Sequence, residues 1–253
     1  MSAIFYAIFL SGVVLEICLL WRLLRKGLWR TYSCFFSYVF YVVIGTLVLF
    51  GILRLLPGLY RSVYWGSESI SIALRFLVIW EVFRHTFPIG SALNRTVSRG
   101  FAVVALGLVI FAVGSFWSYE TYTEFHSVYP ALNRSFGFAQ AVMILGILFA
   151  ARYYGIQLGR NIWGIAVAFG AYASILTANN AMIDLRHSFL PYWRLLSPLS
   201  FVAMLAMWTW AVWVEAPNPP IATRVAAEPD SEFNRWTEGW SRTMSTIRRV
   251  MLP

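Results

Sequence analysis

A full positive charge, Arg75, stands in the middle of an apolar run that covers residues 65–87. In a membrane-spanning helix that position lies near the centre of the bilayer, where insertion scales assign an arginine a cost of about 2.5–3.5 kcal/mol. A charge held at that depth faces the interior of a helix bundle and pairs with an opposite charge or with carbonyl groups. Arg75 is therefore the first candidate for an ion-pair or ligand site in this chain.

Two carboxylates are candidate partners for Arg75. Glu16, in the first apolar run, is expected to lie close to the same depth in the bilayer. Glu68 precedes Arg75 by seven residues, which places both side chains on one helix face but separates them by about 10 Å along the axis. We therefore predict Glu16 as the counter-ion and keep Glu68 as the alternative. The polar side chains expected to satisfy the remaining donors are Gln140, Tyr41, Tyr172 and Thr177.

Such a charge pair can have either of two roles. It can lock the packing of two helices, or it can mark the path of a ligand, an ion or a proton. A third possibility is that Arg75 extends along a water-filled rim of the bundle. The sequence leaves all three open. Nearer the end of the same run, Glu81 and Arg84 are three residues apart and are predicted to neutralise each other at the membrane surface.

The composition of the chain is that of a membrane protein. Of its 253 residues, 59% are hydrophobic and only 12% are charged, whereas soluble domains carry about 25% charged residues. The net charge of +9 is predicted to serve orientation and contact with anionic headgroups, and not nucleic-acid binding.

Seven apolar segments are long enough to cross a bilayer as helices, which takes about 20 residues each. They do not alternate apolar and polar residues as the strands of a membrane barrel do. We therefore predict an all-α polytopic membrane protein with a seven-helix transmembrane bundle in residues 1–215. The predicted spans cover residues 3–24, 32–56, 66–85, 100–117, 134–152, 161–183 and 195–215.

Basic residues in the connecting segments predict the orientation of this bundle. Most of them, with every basic residue of the C-terminal tail, fall on the side where the first predicted span ends. Cytoplasmic loops carry an excess of lysine and arginine, so this side is predicted to be cytoplasmic. The chain is expected in a plasma or inner membrane, with its N-terminus outside and its C-terminus inside.

The C-terminal tail predicts a separate surface element. Residues 216–230 are rich in proline and alanine and are predicted to form a linker. In residues 231–253 an apolar stripe recurs at steps of three and four, which is typical of an amphipathic helix. This helix is predicted to lie on anionic lipid headgroups, with docking to a partner subunit as the alternative. The residues expected at that surface are Phe233, Trp236, Trp240, Arg242, Arg248 and Arg249.

The chain lacks residues that several functional classes of membrane protein require. The single lysine, Lys26, lies at the end of the first predicted span, so no lysine of the last span can hold a retinal Schiff base. Prolines are predicted in loops or at span ends, Pro198 among them, unlike the paired in-helix prolines of small sugar transporters. No motif for a nucleotide, a metal, haem or hydrolytic catalysis is found, so no metal, no cofactor and no enzymatic activity is predicted.

One local pattern resembles a known group. The segments YWGSE, from Tyr64 to Glu68, and LRFLVIWEVFR, from Leu74 to Arg84, resemble a pattern shared by bacterial seven-span membrane proteins of about this length. The resemblance implies a seven-helix class for the membrane part and no particular activity.

Three kinds of function fit these features. The leading hypothesis is a sensor or receptor-like module that binds a small or lipidic ligand from outside and signals through partner proteins. The first alternative is a small transporter or channel with Arg75 and Glu16 on an anion or proton path. The second is a structural subunit of a larger membrane complex, in which the bundle contacts another membrane protein or a second copy of itself.

Overall fold

The computed structural model describes residues 3–87, 125–153, 155–185 and 190–213, together with isolated positions in the remaining segments. Every secondary-structure element in these residues is helical, which confirms the predicted all-α class. A 3₁₀ turn, Pro57–Leu59, leads into the fourth α-helix. The α-helices are α1 Ala3–Arg25, α2 Leu28–Thr31, α3 Ser33–Leu55, α4 Tyr60–Thr86, α5 Phe125–Tyr153, α6 Arg160–Leu185 and α7 Leu190–Trp213.

Five of the described helices are long and apolar enough to span a membrane, and they are α1, α3, α5, α6 and α7. The chain is therefore built from membrane-embedding helices. Apart from isolated positions, the predicted fourth span (100–117), the linker (216–230) and the surface helix (231–253) lie outside the described residues, so the structure tests none of the three.

Helix α4 contains the predicted third span but is not among those five. It has 27 residues, and at 1.5 Å per residue a helix of that length is about 40 Å long, which is enough to cross a bilayer. Its composition sets it apart, since Glu68, Arg75 and Glu81 interrupt the apolar sequence. Its buried face therefore has to satisfy charges as well as pack.

The long helices form a closed ring. In the order α1, α3, α4, α5, α6 and α7, each helix contacts the next, and α7 contacts α1. A further contact joins α4 to α6 across the ring. Helix α4 thus touches α3, α5 and α6, which places its charged face between three neighbours.

Contacts between neighbouring helices fix their directions. Helices α1, α4, α5 and α7 run one way, and α3 and α6 run the other way. The ends of α4 and α5 that join in sequence, Thr86 and Phe125, consequently lie at opposite ends of the bundle. The residue pairs that establish these directions are Phe9–Phe50, Tyr41–Ser67, Phe35–Glu81, Gly137–Thr177, Gly170–Ile144, Gly164–Ala211, Tyr172–Phe201, Gly12–Val202 and Arg22–Trp213.

Charged side chains distinguish the two ends of the bundle. We call the end where α1, α4, α5 and α7 terminate the basic end. The described basic side chains there are Arg22, Arg25, Lys26, Arg30, Arg84, Arg152 and Arg160.

Trp208 of α7 ties together three helices at the centre of the core. The side chain is fully buried, and its indole Nε1 donates to the Ile165 carbonyl of α6 at 3.1 Å. Phe35 and Tyr38 of α3 meet the indole edge-on, with centroid separations of 4.9 and 5.9 Å. Because lipid is as apolar as the core, such packing and hydrogen bonding hold membrane helices together more than transfer from water does.

The structure departs from the predicted helix limits mainly at helix starts. Helices α4, α5 and α7 begin at Tyr60, Phe125 and Leu190, five to nine residues before the predicted spans. The reason is that a helix continues beyond the apolar stretch that identifies it. Pro198 consequently lies inside α7, although it remains near the start of the apolar span Leu195–Trp213.

Candidate functional site

The charged centre of the bundle is an ion pair within α4. Arg75 is buried, at 3% exposure, and its Nη2 group donates to Oε1 of Glu68. The prediction of Glu16 as the counter-ion is therefore wrong, and the alternative partner, Glu68, is the one in contact. Side chains of a helix slope toward its N-terminus, so the long side chain of Arg75 extends along the shared face toward Glu68.

Neighbouring helices surround this pair with polar groups. Ser71, one turn from Arg75, receives a second hydrogen bond from Nη2 at 3.3 Å. Tyr38 of α3 and Tyr172 of α6 lie close enough to Arg75 to interact with it electrostatically. The Arg75 centre, by which we mean Arg75, Glu68, Ser71, Tyr38 and Tyr172, thus joins three helices.

Two other predicted site residues lie beside the Arg75 centre and bond elsewhere. Tyr41 of α3 donates to the carbonyl and hydroxyl oxygens of Ser67, both at 2.9 Å. Gln140 of α5 is buried and donates from Nε2 to the Ile72 carbonyl of α4 at 3.3 Å. Both side chains hold the backbone of α4 to its neighbours, so they position the centre without contacting Arg75.

Glu16 forms a second buried acidic position, in α1. It is 4% exposed, and the Thr46 side chain of α3 lies close enough to its carboxyl group to interact with it. Tyr38 of α3 connects the two acidic positions, since it interacts electrostatically with Glu16 as well as with Glu68 and Arg75. A line of polar side chains therefore crosses the bundle interior from α1 to α6.

Two buried polar atoms near the centre have unused bonding capacity. Among the described residues, Arg75 Nε and Asn179 Oδ1 have no hydrogen-bond partner. Asn179 follows Tyr172 by seven residues in α6 and so shares its face, two turns nearer the end opposite the basic end. Because α6 runs antiparallel to α4, Asn179 stands at about the level of Glu68.

At the basic end, Glu81 binds a helix terminus instead of a neighbouring arginine. Its carboxylate accepts hydrogen bonds from the backbone N–H groups of Cys34 and Phe35, at 3.0 and 2.8 Å. The first N–H groups of a helix lack intrahelical partners, and the positive end of the helix dipole attracts a carboxylate. The prediction that Glu81 pairs with Arg84 overlooked this partner, because nothing local in sequence places α3 beside α4.

Two arginines bind the C-terminal turn of α7 in similar ways. Arg22 of α1 donates to the Trp213 carbonyl and lies 5.1 Å from the centre of the Trp213 ring. Arg160 of α6 donates to the Trp210 carbonyl at 2.8 Å and lies 4.4 Å from the centre of that ring. The last carbonyl groups of a helix need partners and attract cations. These clamps join α1 and α6 to the end of α7.

No protein-family model matches this sequence, and no curated protein or solved structure matches it at a significant level. The arguments about function therefore rest on the geometry of the described helices.

Proposed function

We propose that the protein is a sensor or receptor-like membrane module whose ligand binds at the Arg75 centre and changes helix packing at the basic end. The observation behind the proposal is that the bundle is asymmetric about Arg75. Toward the end opposite the basic end, Glu68 keeps 22% of its side chain exposed and Tyr64, one turn earlier, is 37% exposed. The exposure of these two side chains supports ligand access to Arg75 from this direction.

Helix ends at the basic end are bound to one another by side-chain contacts to backbone groups. Glu81 binds the start of α3, Arg22 and Arg160 bind the end of α7, and His85 lies 3.1 Å from the Thr31 carbonyl. A receptor needs a ligand site that is open toward the outside and closed toward the cytoplasm. A transporter needs access to its site from alternating sides.

The proposed topology keeps seven spans, with α4 as the third and residues 100–117 as the fourth. Its support is the opposite placement of the α4 and α5 ends, since the segment between them has to return across the bundle. The concentration of arginine at the basic end supports a cytoplasmic basic end and an external N-terminus.

We also retain the surface helix in residues 231–253 as a proposal. Its stripe of aromatic residues and its arginines suit an anionic leaflet on the same side as the basic end. Trp240→Glu is expected to lower the affinity of this segment for anionic liposomes, and an unchanged affinity would contradict lipid binding.

A small transporter or channel is the alternative function that a specific observation favours. The buried carboxyl of Glu16 and the line of polar groups through Tyr38 to Arg75 suit a small transporter or channel for an anion or proton. A sensor responds to its ligand without moving it, whereas a transporter accumulates or equilibrates it. The third possibility, a structural subunit, predicts no ligand response at all.

The test follows the distance between two labels at the basic end. Lys26→Cys and Gln157→Cys are both at exposed positions and would carry spin labels in a background where Cys18 and Cys34 are replaced by alanine. We expect a small-molecule extract of the source cells to change the label distance measured by electron paramagnetic resonance. The same extract should produce no net flux into proteoliposomes.

Controls separate a specific response from a general one. Arg75→Gln should abolish the distance change, whereas Arg54→Gln, at an exposed arginine of α3, should leave it intact. No change in the wild type, or an equal change in Arg75→Gln, would contradict the sensor proposal. Flux that depends on Arg75 would favour the transporter.

A further inference from the structure

We propose that the Arg75 centre binds a small carboxylic acid, whose carboxylate replaces that of Glu68 on Arg75 while its proton passes to Glu68. The inference rests on the proposed function, since it names the class of ligand for the same site.

The first argument is the incomplete bonding of the guanidinium. Glu68 engages Arg75 through Nη2 alone, and Nε has no partner among the described residues. Arginine binds a carboxylate best through two parallel hydrogen bonds. A carboxylate placed across the edge formed by Nε and Nη2 satisfies both donors, which the resident side chain does not.

The second argument concerns where the displaced side chain goes. The Glu68 side chain is 22% exposed and that of Arg75 is 4% exposed, so Glu68 is the partner that can move. Asn179 stands at the same level, and its Oδ1 has no hydrogen-bond partner among the described residues. A protonated Glu68 is an O–H donor and can satisfy this acceptor.

The third argument is charge balance. An anion added to an intact ion pair would leave a net negative charge in a low-dielectric interior, which is costly. In the exchange, the O–H bond of the ligand breaks, a new O–H bond forms on Glu68, and the guanidinium keeps one carboxylate. The centre therefore remains neutral, and no oxidant, metal or further reactant is needed.

Neighbouring groups set the electrostatic surroundings of Glu68. Tyr38 of α3, Tyr172 of α6 and Arg75 of α4 interact electrostatically within the centre, and Tyr64 of α4 interacts with Glu68 and Arg75 from beside it. From α5, the described side chains that contact α4 there include Gln140 and Phe136, neither of which titrates. Glu16 of α1 is linked to the centre through Tyr38.

The experiment measures equilibrium binding of radiolabelled benzoate to the full-length protein in nanodiscs, across neutral pH. Benzoate is an anion in this range, so its binding to the wild type should take up one proton. The apparent affinity should therefore fall about tenfold for each unit of pH increase, as proton linkage requires. Glu68→Gln needs no proton, and we expect it to bind benzoate more tightly at the upper end of the range and independently of pH.

Two variants provide the controls. The double variant Arg75→Gln with Glu68→Gln contains no buried charge at the centre and should remain folded by thermal unfolding while losing benzoate binding. Arg54→Gln should bind as the wild type does. Binding that is equal in the wild type and the double variant, or absent in a folded Glu68→Gln protein, would overturn the proposal.

The source of the acid and the receptor function are separated by two further readouts. In a parallel series, decanoate, which partitions into the bilayer, replaces benzoate. An affinity at least tenfold higher for decanoate would indicate an acid that enters from the bilayer, and one at least tenfold higher for benzoate would indicate an acid that enters from water. If benzoate binds in an Arg75-dependent way but the labels at the basic end do not move, the ligand class stands and the receptor proposal fails. If the labels respond to the cell extract and neither acid binds, the ligand class fails alone.

Discussion

Single side chains in this bundle satisfy partners that are distant in sequence. Glu68 was only the alternative counter-ion for Arg75 because the bilayer depth of each residue was judged from its backbone position. That estimate ignores how far a long side chain extends along the helix axis. Glu81 and the α3 terminus are a second case, since a carboxylate at 81 and N–H groups at 34 and 35 meet only in the folded bundle. The residue types predicted that the buried charges of Arg75 and Glu81 would have partners. Which groups those partners are depends on the packing of the helices.

The Glu81 contact leads to a stability prediction. Glu81→Ala leaves the N–H groups of Cys34 and the buried Phe35 without their acceptors, and an unmet buried hydrogen bond costs about 1–3 kcal/mol. We expect a loss of that size in the free energy of unfolding in detergent micelles. Glu81→Gln should lose less, because one amide oxygen can still accept.

Arg84→Ala is the matched control, at an exposed position one turn from Glu81. Surface substitutions of this kind usually change stability by less than about 0.5 kcal/mol. If Arg84→Ala cost as much as Glu81→Ala, the ion pair predicted from sequence would be the stabilising interaction after all.

At the scale of elements, close helix approach depends on glycine. A Cβ added at Gly164 of α6 would lie 2.2 Å from the Cβ of Ala211 in α7, and one at Gly170 would lie 2.5 Å from Ile144 Cγ2 in α5. Small residues allow membrane helices to approach in this way. Helix α6 is therefore held closely against both α5 and α7.

Gly164→Ala is expected to destabilise the bundle by about 1–3 kcal/mol, since a Cβ cannot rotate away and the helices must separate. Gly51→Ala in α3 is the matched control, because a Cβ there meets nothing within 4 Å. That change should be neutral or stabilising by about 0.5–1 kcal/mol. Thermal unfolding of the two variants measures the difference, and equal melting temperatures would contradict the packing argument.

Hydrophobic patterning predicted which segments form helices far better than where those helices begin. Residues 3–24 and 32–56 agree closely with α1 and α3, because the apolar stretch and the helix nearly coincide there. Helix α5 begins at Phe125, nine residues before its predicted span. This first part of the helix is polar, so a search for apolar segments does not identify it as helical. The candidate site was predictable to the extent of Arg75 and Glu68, whereas the position of Asn179 required the antiparallel register of α4 and α6.

For the whole molecule, the orientation can be tested directly. Gly58, in the turn before α4, and Gln157, between α5 and α6, are exposed at opposite ends of the bundle. In intact spheroplasts, a membrane-impermeant maleimide should label Gly58→Cys and leave Gln157→Cys unlabelled, because a basic end is cytoplasmic. Labelling of Gln157→Cys alone would reverse the proposed orientation.

The contact between α1 and α7 has a consequence for synthesis. A ribosome synthesises α1 well before α7, so α1 enters the bilayer long before the helix that Arg22 clamps exists. Until then the ring is open along that seam, and the surface around Gly12 that later meets Val202 faces lipid or an insertase. The ring therefore closes only after α7 has been synthesised, and a chain that stops before Leu190 keeps this seam open.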